Sequence, residues 1–73
     1  MSTRGLGEDI ARMANQIAAQ FRHLPEPAAV DAVATHLRMF WDPRMRAELL
    51  VHLATPGAAG LDPLVRAAAT RLP

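Results

Sequence analysis

The sequence lacks cysteine and lysine, and no apolar run approaches the roughly 18 residues that a membrane-spanning helix needs. The absence of cysteine excludes disulfides, thiolate metal ligands, iron–sulfur ligation and a thiol nucleophile in this chain. The first nine residues also lack the apolar stretch of a secretory signal peptide. We therefore expect a cytoplasmic protein.

The chain is short and its charge is nearly balanced. With 73 residues it forms one domain, and a domain of this size buries only about 60% of the surface that its unfolded chain exposes. Because disulfides are excluded, helix packing and a partner are the remaining means of stabilising it. The formal net charge of +1 is a weak signal for nucleic-acid binding.

Proline and glycine divide the chain into four predicted helices, over about residues 8–23, 27–40, 43–54 and 63–72. Residues 1–7 are predicted to be a flexible N-terminus and residues 55–60 a short flexible loop. In the first two helices the apolar residues recur with helical spacing. They are Ile10, Met13, Ala14, Ile17 and Phe21 in the first, and Val30, Val33, Ala34, Leu37 and Phe40 or Trp41 in the second. Since no segment alternates like a strand, the predicted fold is all-α, a small compact bundle of three to four short helices.

Two Asp-Pro pairs predict well-defined helix starts. Asp42 and Asp62 can each cap the free N–H groups of the following helix, and Pro43 and Pro63 suit its first position. The first pair predicts a sharp corner between the second and third helices.

No residues form a recognisable catalytic, cofactor-binding or metal-binding motif. His23, His36 and His52 lie on separate segments without a second ligand at metal-binding spacing, and the glycines form no phosphate-binding loop. We expect a chain that is not an enzyme in its own right.

Two features of the third helix indicate contact with a partner. Leu50 and Val51 extend its apolar surface around most of the helix, beyond what one small domain can cover. Arg44 and Arg46 lie in its first turn, where the helix dipole disfavours cations, so a functional role is indicated. Arg38 or Arg46 can stack on Trp41, and the sequence leaves open whether Trp41 belongs to the core or to an interface.

Two runs of residues resemble a known family. They are Met13-Ala14-Asn15-Gln16-Ile17-Ala18 and His36-Leu37-Arg38-Met39-Phe40-Trp41-Asp42-Pro43-Arg44-Met45-Arg46. Together with Asp62-Pro63-Leu64-Val65, they resemble the delta subunit of cytoplasmic, NAD-dependent, molybdenum-containing formate dehydrogenases over nearly the full chain.

The resemblance implies a non-catalytic accessory subunit or assembly factor. It is expected to bind the molybdenum-bearing catalytic (alpha) subunit and, through it, the flavin and iron–sulfur subunits. Molybdenum bis-pterin, iron–sulfur clusters and FMN are then expected in those partners, with none in this chain. Whether the chain is a permanent subunit or a transient maturation chaperone stays open.

Asn15 points away from the predicted core face of its helix, so packing alone does not explain it. We hypothesise that Asn15 and Gln16 hydrogen-bond a partner's backbone. The complete set of predicted partner-binding residues is Asn15, Gln16, Arg38, Trp41, Arg44, Arg46, Leu50 and Val51.

The alternative from another class is a small helix-turn-helix-like DNA-binding protein. Helical domains of this size with several arginines often bind DNA, but these arginines are spread over all segments. A salt-dependent mobility shift would support this alternative. Self-association of the isolated chain is a further expectation from its apolar surface.

Overall fold

In the part of the chain that the structure describes, four α-helices and one 3₁₀ helix form a small bundle. The structure is a computed structural model that describes residues 6–72, with side chains described from residue 9 onward. The α-helices are α1 (Leu6–Phe21), α2 (Glu26–Phe40), α3 (Pro43–Leu53) and α4 (Pro63–Ala69), and the 3₁₀ helix is Pro56–Gly60. Within the described residues no strand occurs, and the predicted all-α fold is confirmed.

The helix boundaries differ from the predicted ones mainly at the two ends of the chain. α1 begins at Leu6, inside the segment predicted to be flexible, and α4 ends at Ala69, three residues before the predicted boundary. Residues 1–5, which complete the predicted flexible segment, lie outside the described residues.

The predicted flexible loop at residues 55–60 is instead a capped turn. The Thr55 hydroxyl donates to the carbonyl of His52 at 2.7 Å and accepts from the backbone N–H of Gly57 at 3.2 Å. Pro56 occupies the first position of the 3₁₀ helix, where its missing N–H has no cost. Because of this capping, residues 56–60 have a defined conformation between α3 and α4. The prediction of a flexible loop rested on the glycines and the proline and did not take the Thr55 cap into account.

The core is aliphatic apart from one tryptophan. α2 packs mainly against α4, and α1 packs mainly against α3. The largest side chains that are fully buried are Val33, Leu37, Leu49 and Val65. Among the described residues no charged or polar residue is buried, and no helix is long and apolar enough to span a membrane.

Candidate partner-binding surface

The corner between α2 and α3 is built as the sequence predicts. The Asp42 carboxylate accepts from the backbone N–H of Met45 at 2.9 Å, and Pro43 is the first residue of α3. Trp41 is only 6% exposed and its side chain belongs to the core. Burial therefore removes the Trp41 indole from the surface of this chain, and the question that the sequence left open is answered in favour of the core.

Arg46 has a role within the fold that the sequence did not reveal. Its guanidinium donates to the carbonyl oxygens of Leu37 at 3.4 Å, of Arg38 at 3.2 Å and of Trp41. These are carbonyls of the last turn of α2, the negative end of that helix, where a cation is favourable. The expectation that Arg46 lacks compensation in the first turn of α3 is therefore wrong, because its charge is placed at the end of α2.

Arg44 and Arg38 are the exposed cations at the same corner. Arg44 makes no hydrogen bond or ion pair with any other residue that the structure describes. Arg38 donates to the Thr35 hydroxyl at 3.3 Å, one turn earlier on α2. Both guanidinium groups thus keep donors available to a partner.

The outer face of α3 consists of Ala47, Leu50, Val51 and Ala54. All four are exposed and follow one another at the i, i+3, i+4 and i+7 positions of a single helix face. Val51 is 62% exposed and Leu50 is 37% exposed, whereas the adjacent Leu49 is fully buried. α3 therefore presents apolar residues to solvent as well as to the core, which agrees with its predicted excess of apolar surface.

Met39 and Phe40 form a second exposed apolar pair that the sequence interpretation did not identify. Each is 70% exposed, and the ring of Phe40 lies 4.8 Å from the ring of His36, centroid to centroid. Helical spacing from Leu37 had placed Phe40 among the core candidates. That placement is wrong, because the Phe40 side chain is largely exposed while Leu37, one turn earlier, is fully buried.

Asn15 uses both ends of its carboxamide inside the fold. Its amide nitrogen donates to the carbonyl of Gly60 at 2.9 Å, and its oxygen accepts from the backbone N–H of Asp62 at 2.8 Å. The interpretation that the fold does not explain Asn15 is therefore incorrect, since it fastens α1 to the start of α4. Gln16, the next residue, is exposed and makes no hydrogen bond with another described residue.

The chemistry available at these surfaces is that of binding. Among the side chains that the structure describes, from residue 9 to residue 72, no group of three or more His, Asp or Glu lies close enough to hold a metal ion. What the corner and the outer face of α3 offer is an apolar strip with exposed guanidinium groups at its N-terminal end.

Comparison with known proteins assigns the family. The sequence model of the FdsD family, described as the delta subunit of NADH-dependent formate dehydrogenase, matches residues 9–69. No curated protein and no solved structure matches the chain significantly. Since the match covers most of the 73 residues, the chain belongs to the FdsD family of formate dehydrogenase delta subunits.

Proposed function

We propose that this chain is a non-catalytic accessory subunit or assembly factor that binds the molybdenum-bearing catalytic subunit of a cytoplasmic formate dehydrogenase. The observation that supports the proposal is the outer face of α3, where Leu50 and Val51 are exposed opposite the buried Leu49. Contiguous apolar surface on a small soluble domain is typical of a protein–protein interface. Ala47 and Ala54 flank these residues and allow a partner's backbone to come close.

The arginines at the corner give the interface its charge preference. Arg44 and Arg38 are exposed, and guanidinium groups favour bidentate bonds with carboxylates. We expect the partner to place acidic side chains opposite them. Arg46 contributes indirectly, because its bonds to the end of α2 hold the corner in place.

The cofactors belong to the partners under this proposal. Molybdenum bis-pterin lies in the catalytic subunit, and the iron–sulfur clusters and FMN lie in the subunits that join through it. This chain, which has no cysteine for cluster ligation, acts on the assembly, cofactor loading or stability of the complex.

A charge placed on the outer face of α3 tests the interface. Val51→Glu should weaken the complex at least about tenfold, because a carboxylate is then desolvated against apolar surface. Ala28→Glu is the matched control, since it adds the same charge at an exposed position of α2. The affinity of each variant for the purified catalytic subunit is measured by biolayer interferometry. Equal affinities for both variants would contradict an interface on α3.

The accessory role is tested by separating assembly from turnover. The purified chain should not reduce NAD with formate, and enzyme assembled without it should contain less molybdenum per catalytic subunit. Turnover by the isolated chain would overturn the proposal, as would normal metal content and stability of enzyme made without it. Stoichiometric presence in the active enzyme indicates a permanent subunit, and loss from it indicates a maturation factor.

A further inference from the structure

A groove lies on another side of the molecule, between the middle of α1, the end of α3 and the 3₁₀ helix. It is open to solvent, has a volume of about 590 Å³ and is lined by Arg12, Gln16, Ala19, His52, Gly57 and Gly60 among others. His52 is not part of the outer face of α3. The groove is therefore a surface separate from the one in the proposed function.

The two glycines of the groove differ in what the fold requires of them. A Cβ atom on Gly57 would lie 2.7 Å from Cε1 of His52, so the packing of the imidazole explains that glycine. A Cβ atom on Gly60 would have no atom within 4 Å, and the φ angle of Gly60 is not positive. Neither backbone conformation nor packing therefore explains Gly60, although glycine adds flexibility that folding must remove. What its missing side chain does is keep the groove open.

The polar side chains of Gln16 and Arg12 both offer hydrogen-bond donors at the groove. Gln16 is exposed and makes no hydrogen bond with another described residue, so its carboxamide offers both a donor and an acceptor. Arg12 bonds Asp9 through one nitrogen at 3.1 Å, and a guanidinium has further donors. Among the lining residues whose side chains the structure describes, none is acidic.

We infer that this groove binds an extended segment of a partner subunit in which a small apolar residue lies next to an Asp or Glu. A floor of glycine and alanine lets a peptide backbone approach closely. The donor and acceptor of Gln16 match the C=O and N–H of one peptide unit. Arg12, whose guanidinium keeps donors beyond its bond to Asp9, complements a carboxylate, and the remaining small residues leave room for a small apolar side chain.

Photo-crosslinking in the assembled complex tests the occupant. The substitution Gln16→p-benzoylphenylalanine places a photoreactive group at the groove, and Thr70→p-benzoylphenylalanine is the control on exposed surface after α4. Mass spectrometry should map the adducts from position 16 to one contiguous segment of another subunit that contains an Asp or Glu. Adducts only within this chain, adducts with a second copy of it, or no adducts would each overturn the inference.

A steric block tests the same groove without the crosslinker. Gly60→Leu should lower the affinity for the complex at least about tenfold, because its side chain fills open space in the groove. Ala59→Leu is the matched control, since Ala59 is exposed and is not among the lining residues. Circular dichroism should show both variants folded. A normal affinity for folded Gly60→Leu would contradict the inference.

The two proposals fail separately. If Val51→Glu bound normally while Gly60→Leu did not, the interface on α3 would be lost and the groove would remain. The reverse result would leave the outer face of α3 as the interface and remove the groove.

Discussion

Asn15 and Asp62 together satisfy most of the polar groups where the 3₁₀ helix meets α4. Asn15 bonds the carbonyl of Gly60 and the N–H of Asp62. The carboxylate of Asp62 accepts from the N–H of Leu64 at 2.9 Å and from the guanidinium of Arg22. The side chain of Asn15 thus joins α1 to the start of α4, and that of Asp62 caps α4 and joins it to Arg22, the residue after α1.

Truncation of Asn15 should therefore affect stability more than its exposure indicates. Asn15→Ala should lower the free energy of unfolding by about 2 kcal/mol, because it removes two hydrogen bonds and leaves a partly buried N–H unpaired. Urea unfolding followed by circular dichroism measures the loss. Gln16→Ala serves as the control and should stay within about 0.5 kcal/mol of the native chain. Equal stabilities of the two variants would show that the bonds of Asn15 contribute little.

Asp42 and Asn15 differ in how far along the sequence their hydrogen-bond partners lie, and this difference decides whether the role of each residue could be predicted from sequence. Asp42 caps α3 through Met45, three positions away, and the Asp-Pro pair is a local signal that sequence displays directly. The partners of Asn15 lie 45 and 47 positions away. A helical wheel shows only the direction of the side chain, so it indicated that Asn15 was unusual without identifying its partner.

At the scale of the elements, the end of α2 depends on the start of α3. The last carbonyls of a helix lack partners within it, and Arg46 supplies a donor to those of Arg38 and Trp41. It also donates to the carbonyl of Leu37, which already accepts from the backbone N–H of Trp41. Helix order and the sharp corner were predictable from Pro and Asp. The exposure of Phe40 was not, because helical spacing from Leu37 does not show where along α2 the neighbouring helices cease to cover it.

Removal of the Arg46 side chain should destabilise the corner. Arg46→Ala should cost about 1–2 kcal/mol, since the carbonyls of Arg38 and Trp41 lose the guanidinium donor and the end of α2 loses a favourable cation. Arg44→Ala, two positions earlier in the same turn, should change stability by less than about 0.5 kcal/mol. Thermal unfolding of the isolated variants distinguishes the two. If Arg44→Ala cost as much as Arg46→Ala, net charge rather than these bonds would be responsible.

For the molecule as a whole, stability rests on a small core. The largest of the fully buried side chains are aliphatic, and no disulfide reinforces them among the described residues. A chain of this length is expected to be marginally stable alone, and binding to a partner adds to its stability by mass action. The membership of a multi-subunit enzyme family agrees with such a domain.

Adjacent leucines on α3 allow the core and the surface to be compared directly. Leu49→Ala should cost about 3 kcal/mol because it leaves a cavity at a fully buried site, which approaches the whole stability of a small domain. Leu50→Ala should cost less than about 1 kcal/mol in the isolated chain, and should weaken binding to the catalytic subunit instead. Calorimetry of the free chain and affinity measurements provide the two readouts. Similar losses of stability in both variants would contradict the assignment of Leu50 to the surface.

The bonds that tie α4 to the rest of the molecule also set the order in which the chain can fold. The bonds of Asn15, the ion pair of Arg22 with Asp62 and that of Arg71 with Asp31 all join an early residue to one from Gly60 onward. Contacts between residues so far apart in the sequence form after the local helices, because closing the long intervening segment costs entropy. α1 and α2 are synthesised before the residues of α4 against which they pack. Completion of the fold therefore has to wait until α4 is available to pack against α1 and α2.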